Sequence, residues 1–438
     1  MNALALSTIS FGAVLLLLAL RLPLAFALGI VGAMGVGLLR GFNTFAYVVG
    51  TAPFEVLNSY PLSVLPMFIL VGALAVRTEL STDLVSGSNA LFGHYRGGLA
   101  IGTVVACAGF GAVSGSNLAT LSTMSKITVP EMLRRKYSPA LAAGVLASAS
   151  TLDILIPPSI QMVVYATMTE TSVGRIMAGG IIPALILSLF FVIAIRVWIW
   201  HDPRIAPPPG ERQAFSDRLR QLRGIWGIAA VFMLMLGGMF AGWFSPTEAG
   251  AVGAAGVIVV GLFRGRMAFA DFVASVREAV HLSTVLYLIL IGIEMFHFLI
   301  DSVGLQREVS LLLESTTLPP AFIMAVIIIG LILLGCVMDA TSILFITTPI
   351  LYPAVVGLGY DGIWFGVVMV MLIQLGLIHP PLGLNVFILS GMIKQISVST
   401  AFRGCIPFVI ADIVIILAAF IFPNMILWLP NLLFDASN

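Results

Sequence analysis

Apolar residues run along this chain in long blocks, at about 3–20, 22–39, 60–77, 97–130, 139–169, 178–200, 224–244, 246–263, 279–300, 319–355, 362–393 and 403–430. A helix crossing a hydrocarbon core of roughly 30 Å takes about 20 residues, so several of these blocks predict single transmembrane helices. Blocks 97–130 and 319–355 are each too long for one crossing and carry polar, helix-weakening residues at their centres. They predict re-entrant hairpins that enter and leave on the same side. Between the blocks, segments 42–56, 78–94, 267–278 and 302–317 mix charges with apolar residues, as interfacial helices do. The most polar stretch, residues 201–223, carries three consecutive prolines and five arginines against three acids, and reads as a linker between two halves.

The halves repeat each other. GFGAVSGSNLATLSTMSKITVPEM (109–132) is followed by LDILIPPSI (152–160); GCVMDATSILFITTPILYPAV (335–355) is followed by IQLGLIHPPLGLNVF (373–387). Pro130 precedes Pro157 by 27 residues, and Pro353 precedes Pro380 by 27. Two Gly/Ser/Thr/Asp-rich interruptions and two Pro-Pro breaks in matching places are the mark of a secondary transporter built from inverted repeats.

Composition fixes the medium. With 60% hydrophobic and 9% charged residues over 438 positions, no polar set can clothe a soluble surface, and the chain is expected to be a multi-pass protein of the lipid bilayer. A net charge of +1 without a basic stripe speaks against nucleic acid. Cys107, Cys336 and Cys405 lie in apolar runs without metal-ligand spacing. The first apolar run is expected to be a retained anchor. If the N-terminus and the linker lie on opposite sides, the inside holds Arg21, Arg77, Arg96, Arg134, Arg135, Lys136, the five linker arginines, Arg264, Arg266, Arg277, Lys394 and Arg403, 16 in all, against Arg40, Arg175 and Arg307 outside. That bias obeys the positive-inside rule. It divides the chain into a first repeat (1–200) whose hairpin faces the cytoplasm, a cytoplasmic linker (201–223) and a second repeat (224–438) whose hairpin faces the periplasm.

Broken backbone at membrane depth is tolerated where it lines a cavity or the protein interior. Gly115 and Ser116 free peptide groups at the first tip, and Asp339 to Ser342 do so at the second. Helix N-termini at such breaks attract a carboxylate, while carbonyls and hydroxyls coordinate a hard cation such as Na⁺. Ser114, Ser116, Asn117 and Thr120 supply one cluster, and Asp339, Thr341 and Ser342 the other. The pairs Pro157–Pro158 and Pro380–Pro381 remove amide donors and leave carbonyls without partners. Candidate cation ligands are therefore Ser114, Gly115, Ile156, Pro157, Asp339, Thr341, Ile378 and His379; candidate substrate contacts are Ser116, Asn117, Asp339, Thr341 and Asn385. A lone Ser or Thr in a membrane helix usually bonds the carbonyl one turn back and does nothing else; clustering at a symmetric break is what singles these out.

The signatures RLPLAFALGI (21–30), GHYRGGLA (93–100), GAVSGSNLAT (111–120), ILIPPSI (154–160), FSPTEAGAV (244–252), MDATSILFITTPILYP (338–353), GLIHPPLGLNVFI (376–388) and ILWLP (426–430) resemble the large membrane subunit, DctM-like, of tripartite ATP-independent periplasmic (TRAP) transporters. The resemblance runs from the first helix to the last. It implies an all-α, inverted-repeat, elevator-type fold with two re-entrant hairpins and interfacial arm helices. The function implied is sodium-driven import of an organic acid across the bacterial inner membrane. Its partners would be a soluble periplasmic binding protein and a small four-helix membrane subunit on a separate polypeptide. Asp339 matches an acid usual at its place in the family. Asp153 stands where a small residue is general, and Leu372, Gln374 and His379 replace the family's common Asn, Glu and Thr beside the expected second sodium site.

Four acids, Asp153, Glu294, Asp339 and Asp412, lie within apolar runs, where a carboxylate by default marks an ion or proton path. A catalytic reading fails, because neither GxSG nor GxGD surrounds Ser114, Asp153 or Asp339, so the chain is not expected to be an enzyme. Hairpins of opposite access favour alternating access over an open pore. The alternative among transporters is a binding-protein-independent di- or tricarboxylate:cation symporter of the same architecture.

Overall fold

The computed structural model describes residues 3–209, 215–305, 308–309, 318–335, 340–381 and 383–435, and among these there is no strand. The first half comprises α1 (Ala3–Ala19), α2 (Leu24–Arg40), α3 (Phe42–Leu57), α4 (Val64–Arg77), α5 (Leu80–Phe92), α6 (Gly98–Ser114), α7 (Asn117–Arg134), α8 (Pro139–Ala149), α9 (Leu152–Leu155), α10 (Ile160–Met168) and α11 (Val173–His201). The second comprises α12 (Phe215–Phe232), a π-helical turn (Met233–Gly237) leading into α13 (Gly238–Phe240), α14 (Pro246–Phe263), α15 (Phe269–Val303), α16 (Pro320–Gly335), α17 (Ala340–Gly357), α18 (Gly362–Gly376), α19 (Leu384–Met392), α20 (Val398–Ile421) and α21 (Asn424–Phe434). Six helical runs among the described residues are long and apolar enough to cross a membrane. α3 and the run into α4 make a further pair bent by 57°.

Burial separates an inner block from its surroundings. α8 is buried from Leu141 to Ala149, and α18 from Trp364 to Gly376. In α2, α11, α14, α15 and α20 one face is buried and the other carries exposed apolar side chains such as Leu38, Leu185, Phe263, Val280 and Leu417. In a soluble protein that surface would aggregate; in a bilayer it is the lipid contact. Where helices cross closely, glycine permits it. A Cβ on Gly144 would stand 2.0 Å from the Gly404 carbonyl oxygen, which joins α8 to α20, and one on Gly32 would stand 2.5 Å from the backbone of Met295, which joins α2 to α15.

Three expectations change. Segment 267–278 is not a separate interfacial helix but the start of the 35-residue α15. It contains neither Gly nor Pro, and Asp271 caps it by accepting from the Ala268 amide at 3.0 Å. At about 1.5 Å per residue α15 is about 52 Å long and outreaches the hydrocarbon core. The block 403–430 is broken at Phe422 and Pro423 into α20 and α21. Of the stretch 201–223, His201 closes α11 and residues from Phe215 onward already belong to α12. The segment 302–317 lies largely outside the described residues.

Polar contacts between helix ends fall into two sets. One joins Arg77 to Glu278, Arg264 and Arg266 to Asp83, Arg96 to the carbonyls of Pro203 and Ala206, and Arg218 to His94. The other joins Arg40 to the Ser302 carbonyl, Arg175 to Asp435 and Tyr60 to Ser245.

Candidate functional site

The first interruption is a tight corner on a proline break. α6 ends because Gly115 turns left-handed at φ +58, a conformation that a side chain disfavours. The position has no room for one either, since a Cβ there would lie 2.7 Å from the Pro158 carbonyl oxygen. Ser116 is extended and caps α7, its hydroxyl accepting from the Ala119 amide at 3.4 Å. Opposite, α9 ends where Pro157 and Pro158 supply no amide, and Ser159 restarts the chain as α10 by accepting from the Met162 amide at 3.4 Å. The expected meeting of tip and break is thus direct at Gly115 and Pro158.

Behind that corner sits Asp153 on α9. Thr120 and Ser114 donate to its Oδ2 at 2.6 and 3.1 Å, and their hydroxyl oxygens stand 3.0 Å apart. All three side chains are buried. The Ser116 amide also acts on this carboxylate, yet Oδ1 has no hydrogen-bond partner in ordinary geometry. α6 reaches it only because residue 111 is glycine, where a Cβ would lie 2.3 Å from Asp153 Cβ. An enclosed carboxylate oxygen beside two hydroxyl oxygens is an all-oxygen donor set, which suits a hard cation. In the sequence Asp153 stands as a costly acid in an apolar run, the kind that marks an ion or proton path. The signal for its partners is Ser114, immediately before the Gly115 break, and Thr120, five residues after it, which bring two hydroxyls to the same corner.

Asn117, the first residue of α7, forms a reciprocal amide pair with Asn385 of α19, at 2.8 and 3.1 Å. The Asn385 nitrogen also reaches the Ala147 carbonyl and the Ser150 hydroxyl of the α8 end, at 3.0 and 3.2 Å. This knot ties the first hairpin to the broken helices of both repeats. Asn385 is fully enclosed in it, whereas Asn117 lies at the edge of a cavity.

That cavity, of about 240 Å³, lies between the broken helices and the outer pair α4 and α15. Ser114, Gly115, Ser116 and Asn117 of the first tip line it, with Gln161 and Leu384. Ile69, Gly72 and Ala73 close it from α4, and Glu278, Leu282 and Leu286 from α15. Gly72 allows the approach, since a Cβ there would stand 2.6 Å from the Ser114 carbonyl oxygen. Three helices begin at this cavity: α7 at Asn117, α10 at Ile160 and α19 at Leu384. The first residue of each of these helices lies in the lining, and the N-terminal end of a helix carries the positive end of its dipole. The one charged residue among the described lining is Glu278, held 3.1 Å from Arg77.

At the second interruption Asp339 lies outside the described residues, as do Cys336 and the side chain of Thr341. The first limb of that hairpin seats on α18, where a Cβ on Gly376 would meet Gly335 Cα at 2.8 Å. Ile378 and His379 follow in the turn after α18, their amides bonding the Leu375 carbonyl at 3.2 and 3.1 Å, ahead of Pro380 and Pro381. Ile378 is buried and His379 half-buried. Ile156 and Pro157 occupy the equivalent turn after α9. No group of three or more His, Cys, Asp or Glu side chains able to hold a metal occurs among the described residues.

Residues 11–425 match the family model described as the DctM component of the tripartite ATP-independent periplasmic transporter. The C4-dicarboxylate TRAP transporter large permease protein DctM of Pseudomonas aeruginosa is 34% identical over 380 residues, covering 86% of this chain and 88% of that protein. The 2,3-diketo-L-gulonate TRAP transporter large permease protein YiaN of Escherichia coli is 30% identical, covering 94% of this chain and 95% of that protein. Among solved structures, the YdaH transporter of Alcanivorax borkumensis, reported to have an unusual topology, is similar at a TM-score of 0.64. That likeness covers 92% of this chain and 97% of the other at 11% identity, and speaks to the fold alone.

Proposed function

Because this chain belongs to the DctM family of TRAP transporter large permeases, we propose that it imports an organic acid across the bacterial inner membrane, coupled to sodium and by an elevator-type movement of the block that holds the hairpins and broken helices. The observation that carries this reading is the convergence of three helix N-termini on one cavity at the first tip. Backbone amides and dipoles there favour an anion without an arginine or lysine in the lining. A carboxylate held in this way can be released again, as a carrier requires. Relatives named for C4-dicarboxylates and for diketogulonate agree with an organic acid as the cargo.

The cation seat is the Asp153, Ser114 and Thr120 cluster, completed by carbonyl oxygens of the Ile156–Pro157 turn. A second seat is proposed from the sequence alone, with Asp339 and Thr341, whose side chains lie outside the described residues, as ligands beside Ile378 and His379. Cation and substrate sites share one corner at the first tip, so filling the first seat organises the amides that face the cavity. In this reading the set of end contacts around Arg96, Arg218 and Arg264 belongs to the cytoplasmic side, the set around Arg40 and Arg175 to the periplasmic side, and the first hairpin faces inward. A periplasmic binding protein delivers the substrate and a small four-helix membrane subunit accompanies the chain.

The test is uptake of candidate organic acids into proteoliposomes holding this chain with its small subunit and binding protein, under imposed sodium, proton or potassium gradients. Uptake is expected only with all three components and an inward sodium gradient. Substantial uptake by the isolated chain, or uptake indifferent to sodium, would overturn the reading.

A further inference from the structure

Away from the tips, a second enclosed acid has surroundings of another kind. Asp412 of α20 is 2% exposed and Gln374 of α18 is fully buried. The Gln374 amide nitrogen donates to Asp412 Oδ1 at 3.1 Å. Two polar atoms of this same pair, Asp412 Oδ2 and Gln374 Oε1, have no hydrogen-bond partner. Both are acceptors as long as the aspartate is ionised, so neither can satisfy the other.

Among the described residues on the elements packed against it, no cation compensates a charge at this position. The elements packed against α20 are α8, α11, α18, α19 and α21. Of these α8, α18, α19 and α21 contain no ionisable side chain. α11 contains Arg175, Arg196 and His201; Arg175 is engaged with Asp435, Arg196 stacks over the Tyr95 ring, and His201 ends the helix. On α20 itself Arg403 lies nine residues away, about 14 Å along the axis, and Cys405 two turns away. An ionised carboxylate here would be enclosed, uncompensated and half-satisfied, which is among the costliest states a side chain can take.

We propose that Asp412 and Gln374 form an intramembrane proton seat. Asp412 is held as the neutral acid: its hydroxyl donates to the Gln374 amide oxygen while the Gln374 nitrogen donates to its carbonyl oxygen. One proton gives both orphaned atoms a partner and removes the uncompensated charge. The same reciprocal arrangement between two amides is already present in this protein at Asn117 and Asn385. With no ionisable neighbour to relay it, the proton stays with the pair, and the seat is not a step in ion coupling.

The test is infrared spectroscopy of the full chain in lipid bilayers, where the C=O stretch of a protonated carboxylic acid lies apart from the carboxylate and amide bands. At neutral pH such a band is expected. Asp412→Asn deletes it while replacing the acid–amide pair by an amide–amide pair of the same shape, so the thermal unfolding midpoint stays within about 2 °C of the parent. Gln374→Leu shifts the band to higher wavenumber, because the carbonyl loses its donor, and this variant decides the matter if Asp412→Asn does not fold. A band absent at neutral pH, or one untouched by both substitutions, would overturn the proposal. Neither readout depends on transport, so the outcome stands apart from the sodium-coupled reading.

Discussion

Replacing Asp153 by asparagine tests the proposed first cation seat with little disturbance of shape. Asparagine keeps a carbonyl oxygen to accept from Thr120 and Ser114, which now approach Oδ2 at 2.6 and 3.1 Å. What is lost is the formal charge and the ligand quality of the unpartnered Oδ1. Unit charges about 4 Å apart attract by about 4 kcal/mol at an effective dielectric constant of about 20. The two hydroxyls already spread part of that charge, so about half is a fair expectation, about 2 kcal/mol, or a rise of about 30-fold in the sodium concentration for half-saturation. Ser114→Ala, which removes one neutral oxygen, should cost about 1 kcal/mol, or about fivefold. Two assays separate the causes: the sodium dependence of uptake by the complete system, and the sodium dependence of the unfolding midpoint of the purified chain. A half-saturating sodium concentration changed by less than about threefold in both would refute the assignment of Asp153 to the cation, since no charge–cation contact of this size could then exist.

Gly115→Ala should destabilise by about 2 kcal/mol or more in thermal unfolding, because the left-handed turn and the contact with the Pro158 carbonyl both oppose a methyl group, whereas Gly265→Ala, at φ +63 with open space around it, should show only the conformational cost of about 1 kcal/mol. Asn117→Ala and Asn385→Ala should be non-additive in a double-mutant cycle on stability, with a coupling of about 1 kcal/mol, since each change removes the bonds the two amides make to each other while Asn385 keeps the Ala147 carbonyl and Ser150 hydroxyl; additive effects would mean that the knot does not hold. In a background without native cysteines, a cysteine at Leu118, 52% exposed beside the first tip, should react with membrane-impermeant thiol reagents from the cytoplasmic side, and one at Val356, 43% exposed, from the periplasmic side. Labelling of both from one face in every condition would contradict the opposed hairpins.

Much of the architecture was legible because the bilayer simplifies the code. Length, apolarity and the matched prolines suffice for the described helices, and the Gly115 break falls where the small polar residues put it. Segment 267–278 misled because its alternating charges resemble an interfacial helix, whereas only a Gly or Pro would have ended α15 there. The site was legible as a set of residue types and not as a set of partners. Nothing in the spacing says that Asn117 and Asn385, 268 positions apart, pair with each other, or that Gly111 exists to admit Asp153. Such pairings depend on how three broken helices cross, and single-chain periodicity carries no information about that.

Asp153 and Asp412 look alike in the sequence, each a lone acid in an apolar run, and they are both enclosed in the fold. Their hydrogen-bond partners distinguish them. Asp153 faces two hydroxyls that donate to one oxygen while the other remains open beside a break in the backbone, so a cation can complete the set without rearrangement. Asp412 faces an amide that offers one donor and one acceptor, a pattern that only a protonated acid matches. Hydroxyls can turn to present lone pairs to a metal ion, whereas a carboxamide cannot reverse one edge without surrendering the other. On the two readings proposed above, the identity of the neighbour decides which positive species each carboxyl takes, and exchanging Gln374 for a serine should weaken the hold on the proton at Asp412 far more than it alters the fold around it.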